Sequence, residues 1–200
     1  MKVFNFPQYS PEWWAIREKK ITASHAQAIG TNGKGLVTYV RKLMSEYFST
    51  AELETYSNKN MATGLELESD AAVTYSWEYT QPLQEVGFVV YNDFVGCSPD
   101  RFVGDNGLAE IKCPTDKVYF DLLLDGKIES KYVWQMQMQM LICERDWCDY
   151  VVYNPNFDQS LFVKRTFPDS KKVTALKEGF AAGEKLIKEI VCNVLQQMVR

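Results

Sequence analysis

The sequence predicts an α/β fold in which a central mixed β-sheet is flanked by helices, and three observations carry this. The predicted elements run as helices, a meander of strands, one helix, two strands and a long closing helix. Hydrophobic residues make up 46% and charged residues 24% of 200 residues, enough apolar material for the core of a single domain. A strong hairpin signal, Asp105-Asn106-Gly107, sits between two strand-like runs.

Taken in order, residues 10–30 read as helical segments. Ser10-Pro11-Glu12 is a helix start, with Ser as N-cap and Pro at the first helical position. Thr22-Ala23-Ser24 opens a second helix, and Thr31-Asn32-Gly33-Lys34-Gly35 is a loop. Residues 36–49 read as helix and 50–60 as a polar loop. Residues 64–78 read as helix, because Leu67, Ala71 and Tyr75 recur at i, i+4 and i+8. Residues 86–91 and 94–97 read as strands, 108–113 as the strand returning from the hairpin turn, and 117–124 as a short helix. Residues 132–143, YVWQMQMQMLIC, have a period of 2 that argues strand, against a length and propensity that argue helix; helix is the reading adopted. Residues 147–153 and 160–167 read as strands joined at Asn154-Pro155-Asn156. Residues 169–198 form a long helix with Gly179 and Gly183 as candidate break points.

Charge and composition exclude several chemistries. The net charge is −4, so any nucleic-acid site is a local groove rather than a broad cationic surface. That charge is uneven: net +4 over residues 1–50, −9 over 51–110 and +1 over 111–200. An acidic middle third faces solvent or holds cations. The single histidine, His25, excludes multi-histidine metal sites and leaves one possible base for a Ser or Cys nucleophile. The five cysteines, Cys97, Cys113, Cys143, Cys148 and Cys192, lack C-x-x-C spacing and read as reduced thiols of a cytosolic protein. No signal peptide or membrane span is expected.

Four features could carry chemistry. The first is Ser98-Pro99-Asp100 followed by Glu110-Ile111-Lys112. Alternation in a strand points Glu110 and Lys112 the same way, with Ala109, Ile111 and Cys113 making the other face apolar. The turn at 105–107 folds Asp100 back beside Glu110. Two carboxylates and an ammonium then suit Mg²⁺ or Mn²⁺ and an activated water; the plain alternative is a surface hairpin with scattered charges. The second is Gly64-x-x-x-Glu68, where Glu66, Glu68 and Asp70 crowd a predicted helix start, either as dipole complements or, for Glu68, as company for the carboxylate pair. The third is Gln135-x-Gln137, on a helix whose Gln135, Met138, Gln139 and Ile142 share a side; it is either a half-buried helix or the holder of a water or phosphate oxygen. The fourth is Arg17, Lys19 and Lys20 with Thr22 and Ser24, a phosphate pocket or a solvated helix end.

Together these residues resemble the phage lambda exonuclease family, the YqaJ-type viral recombinases, within the PD-(D/E)xK nucleases. The resemblance spans about residues 13–155. It rests on Trp14 and Arg17 with Ile21-Thr22-Ala23-Ser24, on Gly64-x-x-x-Glu68, on Ser98-Pro99-Asp100, on Glu110-Ile111-Lys112-Cys113-Pro114, and on Tyr132-x-x-Gln135-x-Gln137. It implies one nuclease domain with a restriction-endonuclease-like core at about 60–155, N-terminal helices over 10–49 and a C-terminal strand and helix over 160–198. Asp100, Glu110 and the Ile111 carbonyl are implied to be ligands of two Mg²⁺ ions, replaceable by Mn²⁺, with Glu68 as an outer or second-metal carboxylate. Lys112 is implied to activate water and Gln135 to position water or phosphate. Arg17, Ser24 and Ser98 are implied to hold a 5′-phosphate, Met61 to wedge apart the terminal base pairs, and Lys34 to contact duplex backbone. The implied enzyme is a homotrimeric ring in a phage-infected or lysogenic bacterial cytoplasm. It digests linear duplex DNA from the 5′ end to mononucleotides, leaving 3′ single strands for a single-strand annealing protein. A PD-(D/E)xK endonuclease and a non-catalytic DNA-end-binding module are the alternatives, and the helix after Asp169 is the candidate subunit contact.

Overall fold

The computed structural model describes residues 1–50 and 59–198, with the side chains of 1–50 and 66–198. The chain builds two mixed sheets where the sequence predicts one. In the first, β1 (Lys2–Phe4) pairs antiparallel with β4 (Phe88–Asn92), and β4 pairs antiparallel with β5 (Val95–Cys97). Strand β2 (Ile21–Thr22) closes this sheet parallel to β5. The second has the order β3 (Leu83–Glu85), β6 (Arg101–Val103), β7 (Gly107–Lys112), β8 (Trp147–Tyr153) and β9 (Leu161–Thr166). Only β7 and β8 in it are parallel, so the chain must cross over between them. The crossover is α5 (Asp116–Asp125) followed by α6 (Ser130–Cys143).

The remaining helices are α1 (Pro11–Arg17), α2 (Ala26–Thr31), α3 (Lys34–Phe48), α4 (Lys59–Tyr79) and α7 (Ser170–Met198). The expected Ser10 cap is present, its hydroxyl accepting the Trp13 N–H at 3.2 Å. Thr22-Ala23-Ser24 does not open an α-helix directly. Thr22 ends β2, and residues 23–25 make a single 3₁₀ turn before α2. Lys34 lies at the first position of α3 rather than in a loop.

Strand β7 is buried on both faces, a correction to the one-sided pattern expected for it. Ala109 and Ile111 pack with Ala71 and Tyr75 of α4, while Leu108 packs with Met136 and Met140 of α6. Glu110 therefore enters the α6-side core at 0% exposure. The Gln/Met alternation of α6 resolves as helix, and each glutamine has its own task. Gln137 donates to the Phe167 carbonyl at 2.8 Å and accepts the Asp169 N–H at 2.7 Å, fixing the chain just before α7. Gln135 and Gln139, one turn apart, face Glu110.

Helix α7 runs unbroken through both glycines, because they are crossing points. A Cβ on Gly179 would stand 2.1 Å from the Ile29 carbonyl oxygen of α2. No helix among the described residues is long and apolar enough to cross a membrane. All five cysteines are free thiols.

Candidate active site

The β6–β7 ladder pairs Arg101 with Ala109, which brings Asp100 beside Glu110 one step further along. Asp100 sits in the short connection between β5 and β6, just past the end of the strand expected over 94–97. Its Oδ2 accepts the Ile111 N–H at 2.7 Å and lies 4.0 Å from Lys112 Nζ. Lys112 Nζ bonds Glu110 Oε1 and donates to the Ile111 carbonyl at 2.9 Å. Gln135 donates to Glu110 Oε1 and Gln139 to Oε2, each at 2.6 Å. Gln139 went unread as a site residue. Its signal was the one-turn spacing from Gln135, which the sequence also allows for plain core packing.

Glu68 reaches the same region from α4. This helix starts at Lys59, so Glu66, Glu68 and Asp70 lie beyond its first turn and the dipole explanation for them falls away. Glu68 Oε1 accepts from Arg101 Nη1 at 3.0 Å, and the same nitrogen donates to the Asp100 carbonyl at 2.6 Å. Arg101 was not singled out from sequence, yet it ties Glu68 to the Asp100 segment. Burial, then repulsion from Asp100, pushes the Glu68 carboxyl up to about 7. The same two causes push Glu110 up to about 7 against the pull of Lys112. Burial works against the charge on Lys112, but Glu110 and Asp100 overcome it and hold the amine above its ordinary range.

The donor set is all oxygen: the Asp100 and Glu110 carboxylates, the Ile111 carbonyl and, set apart by its pairing with Arg101, the Glu68 carboxylate. Among the described residues no three His, Cys, Asp or Glu side chains form a ready metal cage. The set nevertheless fits a hard divalent cation, because the Glu68 and Glu110 carboxylates are under-compensated and a carbonyl completes the oxygen donors.

A second cluster adjoins this one. The Trp13 indole N–H donates to Ser98 Oγ at 2.8 Å and to the Gly87 carbonyl at 3.1 Å, and the Ser98 hydroxyl donates to that carbonyl at 2.8 Å. Ser98 is thus engaged in holding the indole. The Arg17 guanidinium lies over the Trp13 ring at 3.9 Å. Among the described residues no carboxylate stands within ion-pair range of it. Burial lowers its pKa. Thr22, Ser24, Tyr39 and His25 form a hydroxyl and imidazole network nearby, with Ser24 Oγ 3.2 Å from His25 Nδ1 and the His25 and Tyr39 rings stacked at 3.8 Å. Burial, with Lys42 and Arg17, lowers the His25 pKa. A half-buried cation beside a cluster of hydroxyls is an anion site in chemical character. Lys34 is exposed at the start of α3. Met61 lies in α4, and its side chain is outside the described residues.

Comparison with known proteins agrees with this architecture. An alkaline exonuclease from Laribacter hongkongensis superposes with a TM-score of 0.86 at 28% identity, covering 95% of this chain and 98% of that one. The same exonuclease in complex with dAMP gives 0.87 at 29% identity with the same coverage. A phage-related exonuclease from Haemophilus somnus 129PT shares the fold, with a TM-score of 0.64 at 17% identity over 88% of this chain and 96% of that one. No curated protein matches by sequence. The fold is that of the alkaline exonucleases, mixed α/β with two mixed sheets flanked by helices. A profile of the YqaJ-like viral recombinase domain matches residues 12–146, and on that match the chain belongs to the YqaJ-like viral recombinase domain family.

Proposed function

We propose that this chain is a divalent-metal-dependent exonuclease that digests linear double-stranded DNA from the 5′ end, releasing 5′-mononucleotides and leaving 3′ single strands for a strand-annealing partner. The family and the alkaline exonuclease neighbours support a nuclease. The observation that carries the finer reading is Arg17: a half-buried guanidinium with no acidic partner among the described residues, packed on the indole that Ser98, two residues before Asp100, holds. An enzyme that starts at an end needs a place for the terminal phosphate, and an internal cutter does not.

Asp100, Glu110 and the Ile111 carbonyl would hold Mg²⁺ or Mn²⁺, with Glu68 serving an outer or second ion. Bound divalent cations supply Lewis acidity and charge neutralisation for in-line attack on a phosphodiester. Lys112, kept as an ammonium, orients the water oxygen and stabilises developing negative charge. Gln135 and Gln139 fix the Glu110 carboxylate in one orientation, and Gln135, the more exposed of the two, faces the reacting phosphate. Arg17 and Ser24 bind the 5′-phosphate, Met61 separates the terminal pairs and Lys34 contacts duplex backbone. The working assembly is a homotrimeric ring.

The test compares linear and circular duplex, each with Mg²⁺ and the linear form with and without a 5′-phosphate. Digestion is expected only of linear DNA, faster on phosphorylated ends, and absent in Asp100→Ala. In Arg17→Ala the phosphate preference should fall by roughly tenfold or more, since a charge-assisted bond to phosphate contributes about 1.5–3 kcal/mol. Cutting of closed circles would instead establish an endonuclease. An unchanged preference in Arg17→Ala would remove that residue from the pocket.

A further inference from the structure

We propose that the Tyr9 ring is the stacking surface for the base of the terminal nucleotide at this site, and so grades which 5′ ends are held well. This rests on the exonuclease reading above and adds a residue to it.

The segment before α1 is fastened to the wall of the site. Gln8 Nε2 donates to the Val86 carbonyl at 2.9 Å and to the Pro99 carbonyl at 3.1 Å, and Pro99 directly precedes Asp100. The next residue, Tyr9, has φ 67°, in the left-handed region that glycine enters freely and a bulky residue rarely does. Strain of this kind persists where the surroundings enforce it and is concentrated at ligand sites.

The ring is held on an aromatic base. Its centroid lies 4.9 Å from Trp13 and 6.4 Å from Trp14, and the two indoles meet edge-on at 4.7 Å. Trp13 is buried and its N–H is fixed by Ser98 and Gly87, so the base is rigid. Tyr9 itself remains 40% exposed, leaving ring surface for a ligand. The Arg17 guanidinium packs on the same indole. One buried tryptophan therefore anchors both a cation suited to phosphate and an exposed ring suited to a base. Glu68, Asp100, Arg17 and Lys112 are all close enough to act electrostatically on the Tyr9 hydroxyl. The ring thus shares an anchor with Arg17 and lies within electrostatic reach of the carboxylates, in the region a terminal nucleotide would occupy. Stacking tolerates every base because each has a π-face, and the larger purines gain more from it.

The experiment uses the full chain with Mg²⁺ and two probes, dAMP and inorganic phosphate, in wild type, Tyr9→Phe and Tyr9→Gly, with binding read by calorimetry. Tyr9→Gly should weaken dAMP by roughly 5- to 150-fold, the range that loss of one stacked base implies, and leave phosphate within about twofold. Tyr9→Phe should hold dAMP within about twofold of wild type. On 5′-phosphorylated duplex, Tyr9→Gly should raise KM with kcat nearly unchanged. Equal dAMP affinity in Tyr9→Gly and wild type, with wild type digesting DNA, would overturn the stacking role alone. Tyr9→Phe losing as much as Tyr9→Gly would overturn it too, by assigning the effect to the hydroxyl. A wild type that neither binds dAMP nor digests linear duplex would overturn the exonuclease reading together with it.

Discussion

A carboxylate at 0% exposure, as at Glu110, is costly unless something compensates it, and here the compensation is partial. Lys112, Gln135 and Gln139 donate to it, yet burial and Asp100 still raise it from 4.5 to about 7. Since the folded pKa is the higher one, the folded chain holds this proton more tightly than the unfolded chain. The resulting stability is fully present below the unfolded pKa and is lost as pH rises through about 7. Glu68 shifts the same way for the same reasons. In EDTA, urea unfolding should therefore show stability falling between about pH 5 and pH 8, with Glu110→Gln flattening part of the slope. Adding Mg²⁺ at pH 8 should restore stability to wild type and much less to Glu110→Gln. A profile that climbs over this range would show that the carboxylates are better compensated than the geometry indicates.

Helix α7 shows how an element can be legible while its details are not. A long helix over 169–198 is evident from its pattern, but Gly179 and Gly183 look like break points because glycine weakens helices. Only the packing partner reveals Gly179 as the place where the α7 backbone meets that of α2. Gly179→Ala should cost about 2–3 kcal/mol, since a Cβ would meet the Ile29 carbonyl oxygen and the helices would have to part. Gly183→Ala should stay within about 1 kcal/mol, because its new methyl meets the movable ends of Ile21 and Leu36 and gains helix propensity. Equal losses at the two sites in urea unfolding would refute the distinction. The same contrast governs legibility elsewhere. Strands β7, β8 and β9 have six or seven residues and strong apolar content, so the sequence announces them. Strands β1, β3 and β6 have three residues each and owe their existence to a neighbouring ladder, which no local pattern encodes. In the site, Asp100, Glu110 and Lys112 were readable because one hairpin joins them. Gln139, Arg101 and Tyr9 were not, since each acquires meaning only from a residue distant in sequence.

At the scale of the whole molecule, a net charge of −4 constrains how a polyanion stays bound through many turnovers. Diffuse attraction grows with the number of phosphates that Lys and Arg neutralise, and this chain has no surplus of either. Enclosure is the other route to persistence, and the proposed homotrimeric ring supplies it through a heterologous interface that closes. Such an interface has to bury apolar surface. Helix α7, the expected contact, gives Leu176, Phe180 and Ile187 to the core and exposes Leu195 and Met198 only near its C-terminal end. The outer face of α4 is a second candidate. Val73 is 68% exposed and Trp77, one turn later, 87% exposed, the most exposed large hydrophobic residue among the described residues. Two large apolar side chains one turn apart on a helix make a patch suited to a partner surface. Light scattering at micromolar concentration should give a trimer mass for wild type and a smaller mass for Trp77→Lys. That variant should still cleave linear duplex but should release it early, so that excess unlabelled DNA added mid-reaction stops digestion at once. A wild-type monomer would refute the ring, and a trimeric, processive Trp77→Lys would move the interface off α4.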